Sequence, residues 1–222
     1  MSPELIINFL RILLVILISI DIHEFSHALA ATWLGDDLPR YQGRLTLNPL
    51  AHLDPVGTMM IVISSLSGFG FGWGRPVQVN PVRLRHGPAV GMGLVAIAGP
   101  VSNLILATVA AIGYHATGLL NAVSPSLSQF FGLFVQVNIA LALFNLIPIF
   151  PLDGFRVALA LLRLARGRTA LDIAYRLEST AAYGPTLFIL LILASQVLPI
   201  NFIGLIIGTP TIFLVRLLLG RL

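Results

Sequence analysis

Three side chains that can bind a metal ion or carry a proton lie within one apolar segment. His23 and His27 are four positions apart, so in a helix both imidazoles lie on one face and can bind the same ion. Glu24 follows His23 directly, where its carboxylate can act as a general base for a water molecule. Polar groups inside an apolar helix are costly, and a metal ion supplies a reason for them. The pattern predicts a hydrolytic metal site.

A hydrolytic zinc site needs a third protein ligand, and the chain contains no cysteine to supply it. Asp21 precedes His23 by two positions, which directs it away from the histidine face of a helix. Asp153 is the better candidate, because it follows an apolar run broken by two prolines. Its carboxylate could equally cap a helix that begins at Gly154. Solvation or ion pairing in the connections, or a position at the outer end, explains the other acids: Glu4, Asp36, Asp37, Asp54, Asp172 and Glu178.

The composition is that of a membrane protein. Of the 222 residues, 57% are hydrophobic and 10% are charged, against about 45–50% and 25% in soluble domains. A spanning helix takes about 20 residues, so we expect five or six spans with short loops and no separate soluble domain. All 13 basic residues are arginines, placed singly or in short groups between apolar runs. This distribution favours a lipid bilayer and argues against nucleic-acid binding.

Six apolar runs are candidate spans: residues 5–33, 56–71, 89–116, 127–150, 181–198 and 202–219. The second run is short and ends in the glycine-rich stretch 68–74, so we expect it to be re-entrant. With about five true spans, the arginine-containing connections share one side, which places them in the cytoplasm and the N-terminus outside. Two alternating segments, 43–49 and 75–81, each end at Asn-Pro and predict a small β-hairpin at the membrane surface.

Helix lengths also indicate that the candidate ligands lie at a similar depth. His27 lies nine residues before Asp36, and Asp153 lies ten residues before Arg163. At 1.5 Å per helical residue, both are roughly 13–15 Å inside the cytoplasmic boundary. His27 and Asp153 could therefore meet at one level of the membrane.

Three motifs resemble those of the site-2 protease family of intramembrane zinc metalloproteases: His-Glu-Phe-Ser-His at 23–27, Ala-Gly-Pro-Val-Ser-Asn at 98–103 and Asn-Leu-Ile-Pro-Ile-Phe-Pro-Leu-Asp-Gly at 145–154. The stretch 47–58 resembles the compact prokaryotic branch, which lacks appended PDZ or CBS domains. The resemblance covers most of the chain. It implies one zinc ion per chain, bound by His23, His27 and Asp153, with Glu24 as the catalytic base.

The resemblance also implies roles toward the substrate. Asn145 would help to hold the substrate backbone or the developing oxyanion. Asn103 resembles a residue that approaches the substrate, although hydrogen bonding between helices explains it equally well. The stretch Gly68, Phe69 and Gly70 resembles the re-entrant loop that the family places near the substrate. The histidines outside these motifs are expected in turns or on the surface: His52, His86 and His115.

The expected organisation is one all-α domain over residues 1–222, with a zinc-motif helix 5–34, a membrane-surface and re-entrant region 36–88, helices 89–116 and 127–150, the Asp-Gly motif 151–154 and C-terminal helices 181–219. We expect hydrolysis of peptide bonds within or near transmembrane segments of other proteins, toward the cytoplasmic side of a prokaryotic cell membrane. A metal-binding membrane transporter and an inactive scaffold that binds transmembrane helices are the alternatives. Glu24 favours the hydrolase, because a transport site has no evident need for a carboxylate that does not bind the metal.

Overall fold

The computed structural model describes residues 3–66, 72–119, 125–187, 190 and 204–220. Three of its helices are long and apolar enough to cross a membrane: α1 (Pro3–Trp33), α5 (Pro88–Leu119) and α6 (Pro125–Asn145). The expectation of an all-helical membrane protein is confirmed, since the described residues form no strand. Most of the predicted helix 181–198 and the beginning of 202–219 lie outside these residues.

Shorter helices connect and flank the three long ones: α2 (Leu38–Tyr41), α3 (Pro49–His52), α4 (Pro55–Leu66), α7 (Asp153–Ala165), α8 (Arg168–Thr180) and α9 (Thr209–Leu219). Side-chain caps begin two of them, α3 and α4. Asn48 accepts a hydrogen bond from the Leu50 N–H at 3.2 Å, and Asp54 accepts one from the Gly57 N–H at 2.8 Å. Proline occupies the first position of α3 and of α4, where its missing N–H costs nothing.

The core lies where α1, α5, α6 and α9 meet. Val15 of α1, Ala107 of α5 and Val135 of α6 are fully buried there, and Leu219 of α9 closes the cluster. Small residues on α5 allow the helices to approach closely. The outer faces keep large apolar side chains exposed, for example Leu10 and Ile112. Helices that are apolar on all sides in this way suit a lipid environment.

The helix α4 is shorter than a membrane-spanning helix. The helix has 12 residues, a length of about 18 Å, which is less than the roughly 30 Å of a bilayer core. Leu53 and Gly74 form an isolated antiparallel bridge, so the chain just before α4 lies beside residue 74. A β-carbon on Gly57 would overlap the carbonyl of Trp73. The chain at Trp73 therefore packs directly on α4.

The predicted β-hairpin of segments 43–49 and 75–81 is wrong for this structure, because neither segment is a strand. A buried arginine connects them instead. The Arg44 guanidinium donates to the carbonyl of Ala51 at 2.5 Å and to that of Pro76 at 3.1 Å. Residues 75–80 form neither helix nor strand, and side-chain hydrogen bonds take the place of the predicted ladder.

Asp36 also differs from the expectation of a solvated acid, since it is fully buried. One carboxylate oxygen accepts from the Leu38 N–H at 3.2 Å, and the other accepts from the Asn80 N–H at 2.6 Å. Asp36 thus joins the end of α1 to the start of the chain before α5. The expected surface ion pairs do form: Asp37 with Arg40, Glu178 with Arg163 and Asp172 with Arg176.

Candidate active site

His23, His27 and Asp153 converge from α1 and α7. The Nε2 atoms of the two histidines lie 3.0 Å apart, and Oδ2 of Asp153 lies 3.2 Å from one and 3.4 Å from the other. In a tetrahedral site with bonds of about 2.05 Å, two ligand atoms lie about 3.3 Å apart. The three atoms therefore have the spacing that one zinc ion requires. No other group of three potential ligands is this close within the residues that the structure describes.

The other ring nitrogens contact oxygen acceptors. Nδ1 of His27 lies 2.8 Å from the carbonyl oxygen of Val95, and Nδ1 of His23 lies 2.7 Å from Oδ1 of Asn103. A carbonyl oxygen only accepts, so Nδ1 of His27 donates and its Nε2 lone pair faces Asp153. Lone pairs that point at one another repel, and a bound cation removes this repulsion. The donor set therefore fits a metal ion.

One face of α5 lies against both imidazoles. Val95, Gly99 and Asn103 are spaced by four residues, so they share a stripe of the helix. A β-carbon on Gly99 would lie 2.5 Å from Cε1 of His23 and 2.5 Å from Nε2 of His27. Only glycine leaves room for the rings at this position. The motif 98–103 thus forms part of the wall of the site.

α7 begins at Asp153 itself, and Leu152 occupies the N-cap position without a side-chain capping bond. Asp153 is therefore not the N-cap residue of α7. Its carboxylate faces the two histidines from the positive end of the α7 dipole. A β-carbon on Gly154 would overlap the carbonyls of residues 146–147, which explains why glycine follows the aspartate.

A cleft of about 390 Å³ opens beside the three ligand atoms. Its lining includes His23, Glu24, Asn145 and residues 72–74. One carboxylate oxygen of Glu24 is buried and has no hydrogen-bond partner among the described residues. Asn145 donates to the Leu141 carbonyl at 3.0 Å, which fixes its amide at the last turn of α6. The cleft thus combines a potential metal site, a carboxylate and an amide.

Comparison with known proteins indicates the family of the chain. Residues 115–192 match the model of peptidase family M50. The chain is 46% identical over 151 residues to YwhC of Bacillus subtilis (strain 168), whose name describes it as a candidate zinc metalloprotease, and the match covers 66% of each protein. The chain belongs to peptidase family M50.

Two further relatives carry the name of candidate zinc metalloprotease Rip2. The protein of Mycolicibacterium smegmatis (strain ATCC 700084 / mc(2)155) is 38% identical over 144 residues, and that of Mycobacterium tuberculosis (strain ATCC 35801 / TMC 107 / Erdman) is 32% identical over 143. Each match covers 63% of this chain and 52% of Rip2, so the chain spans about half the length of these relatives. No solved structure matches the chain.

The structure tests only some of the residues that were expected to contact substrate in this M50 protein. Asn103 is fully buried and bonds to groups on neighbouring helices, which is the alternative that the sequence left open. Its contact with substrate stays a prediction without support from this geometry. The loop residues lie outside the described part of the chain: Gly68, Phe69 and Gly70. The adjoining residues 72–74 do line the cleft.

A second buried polar group lies beside the site and was missed by the sequence analysis. His52 is fully buried, so the expectation of a surface position is wrong. Its Nε2 donates to the Thr46 carbonyl at 2.8 Å and lies 3.7 Å from Oδ1 of Asp21. A β-carbon on Gly74 would lie 3.1 Å from the His52 carbonyl and 3.3 Å from Cγ of Glu24, so this group adjoins the cleft. The available signal was Asp21, an acid in an apolar helix.

A buried positive charge completes the surroundings of the cleft. Arg44 is 5% exposed, and burial lowers the pKa of its guanidinium from the ordinary value. The neighbouring charge of Arg75 lowers the pKa further, whereas the carboxylate of Glu24 opposes both effects. The guanidinium thus lies within electrostatic range of the candidate base.

Proposed function

We propose that this protein is an intramembrane zinc metalloprotease that cuts peptide bonds within or near transmembrane segments of other proteins. The main support is the convergence of three potential ligand atoms beside a cleft that is also lined by Glu24 and Asn145. Membership of family M50 and the names of the relatives support zinc proteolysis. The three long apolar helices support a location in the membrane.

His23, His27 and Asp153 would hold a single zinc ion. Zinc, when bound, polarises the scissile carbonyl and lowers the pKa of water. The free carboxylate oxygen of Glu24 accepts the proton of the attacking water and later gives it to the leaving amine. Asn145 donates an amide N–H to the substrate backbone or to the developing oxyanion.

We also propose a topology of five spans with a re-entrant segment at 56–72. The short α4 and the bridge between Leu53 and Gly74 support the re-entrant path. The arginine-containing connections then lie in the cytoplasm, the N-terminus lies outside and the cleft opens toward the cytoplasmic side of a prokaryotic cell membrane.

The substrate must present an unwound segment, because a helix hides its carbonyls in its own hydrogen bonds. Residues 72–74 line the cleft, and residues 75–80 follow them without helical structure. Gly74 pairs with Leu53 through an isolated bridge, and residues 75–80 belong to no β-ladder within the described residues. An unwound substrate strand pairs with it by strand addition, which brings the scissile bond to Glu24.

Purified protein tests the proposal through zinc content and cleavage of a transmembrane reporter that carries helix-breaking residues. Glu24→Gln should retain zinc and lose cleavage, whereas Asp153→Ala should lose zinc as well. Asp172→Ala, in an exposed ion pair of α8, is the matched control and should resemble the unchanged protein. Cleavage by Glu24→Gln at the unchanged rate would exclude Glu24 as the base. Zinc binding without cleavage by the unchanged protein would favour a transporter or an inactive scaffold.

A further inference from the structure

A buried chain of hydrogen bonds joins the candidate metal site to the middle of the helix bundle. It consists of Ser19 on α1, Asn103 on α5 and Asn138 on α6, and all three are fully buried. Asn103 Nδ2 lies 2.9 Å from Oδ1 of Asn138, whose Nδ2 lies 2.9 Å from Oγ of Ser19. Oγ of Ser19 in turn donates to the Val15 carbonyl at 2.7 Å. The chain ends at Nδ1 of His23, 2.7 Å from Asn103.

Backbone carbonyls fix the direction of these bonds. Nδ2 of Asn103 lies 3.2 Å from the carbonyl oxygen of Ser19, an atom that only accepts, so the NH2 group of Asn103 must face it. Nδ2 of Asn138 likewise lies 2.9 Å from the carbonyl oxygen of Phe134. Oδ1 of Asn138 is therefore left to accept from Asn103. Neither amide can be turned over without placing two acceptors together.

The consequence concerns the protonation of His23. Oδ1 of Asn103 faces the ring and only accepts, so His23 carries a proton on Nδ1. Its Nε2 then presents a lone pair toward His27 and Asp153. The Val95 carbonyl selects the same tautomer for His27. We infer that Asn103 is a positioning residue, which fixes the tautomer and the ring orientation of His23 for metal binding. This inference rests on the proposed function.

The competing explanation is that Asn103 only holds helices together. Asn138 offers a matched comparison, because it is equally buried and makes interhelical bonds but does not touch His23. Asn103→Ala and Asn138→Ala should both lower the melting temperature of the metal-free protein. Asn103→Ala should also weaken zinc affinity by about 10- to 100-fold. Asn138→Ala should change zinc affinity by less than about threefold, since the Ser19 carbonyl still orients Asn103.

Asn103→Asp separates the two roles further, because it keeps the acceptor for His23 and loses the donors to α1 and α6. It should bind zinc more tightly than Asn103→Ala. Chelator competition in detergent measures these affinities, and the visible spectrum of the Co²⁺-substituted protein should change in Asn103→Ala but not in Asn138→Ala. If Asn103→Ala does not fold, the zinc affinities of Asn103→Asp and Asn138→Ala test the inference instead. Affinities of both variants close to that of the unchanged protein would support it.

Two results would overturn the inference alone: equal zinc affinity in the unchanged protein and Asn103→Ala, or equal losses in Asn103→Ala and Asn138→Ala. An Asn103→Asp affinity far below that of Asn138→Ala would also overturn it. An unchanged protein that binds no zinc would instead overturn the proposed function, and this inference with it. The measurements therefore distinguish the two failures.

Discussion

Replacing Gly99 by alanine tests the geometry of the candidate metal site with the smallest change of side chain. The new β-carbon would lie 2.5 Å from Cε1 of His23 and 2.5 Å from Nε2 of His27. Carbon contacts settle at about 3.5–4.0 Å. The helix or the rings must therefore move by about 1 Å, and a displacement of that size costs on the order of 100-fold in activity.

A loss of activity on replacing glycine by alanine would be informative, because alanine normally stabilises a helix by about 1 kcal/mol relative to glycine. Gly132→Ala provides the matched control on α6, since its β-carbon would meet only Cε2 of Tyr114 at 4.0 Å, an ordinary contact. We expect Gly132→Ala to be as active as the unchanged protein and equally or more resistant to thermal unfolding. Gly99→Ala should lose about 100-fold in kcat/KM on the transmembrane reporter and bind zinc more weakly.

The assay combines reporter cleavage, zinc content and thermal unfolding of each variant in detergent. Loss of cleavage and zinc in a protein that remains folded would locate the effect at the two rings. If Gly99→Ala retains full zinc and cleaves at the unchanged rate, α5 does not lie against His23 and His27 as described. The description of the site wall would then be refuted, whatever the role of Asn103.

Two further predictions concern the surface region. Asp36→Ala should lower the free energy of unfolding by about 3 kcal/mol, because it leaves the N–H groups of Leu38 and Asn80 without their charged acceptor. The control Asp37→Ala removes an exposed ion pair and should lower it by less than about 1 kcal/mol. Similar melting temperatures for the two variants would contradict the buried role of Asp36. Val77→Pro should slow reporter cleavage with zinc content unchanged, because proline removes a backbone donor from the proposed substrate edge, and an unchanged cleavage rate would count against strand addition.

The two candidate histidine ligands could be picked out from the sequence because helix geometry is local and regular. His23 and His27 need only a spacing of four within a helix, and their polarity in an apolar segment marks them. Asp153 needed a second argument from depth and resemblance, since a carboxylate before glycine also suits a helix cap. In the structure Leu152 takes the cap position, so Asp153 is not the capping residue of α7.

The surface region could not be predicted to the same degree, because its contacts join residues far apart in the chain. Asp36 meets Asn80, and Arg44 meets Pro76. In the sequence, these acids and arginines look like those of any solvated connection. Burial changes their role: Arg44 satisfies two carbonyls that a β-ladder would otherwise use. Alternation alone therefore predicted the wrong kind of pairing.

Asn103 shows how much can be predicted from the sequence about a polar residue in an apolar helix. Its presence indicated a partner, but the partner depends on how α5 is rotated against α1. That rotation is set one turn earlier, where the missing side chain of Gly99 allows the backbone to lie on the two imidazoles. The same close approach brings the Asn103 amide to Nδ1 of His23. Glycine and asparagine in this motif thus serve one arrangement: the first admits the rings, and the second determines which nitrogen of His23 faces the ligand cluster.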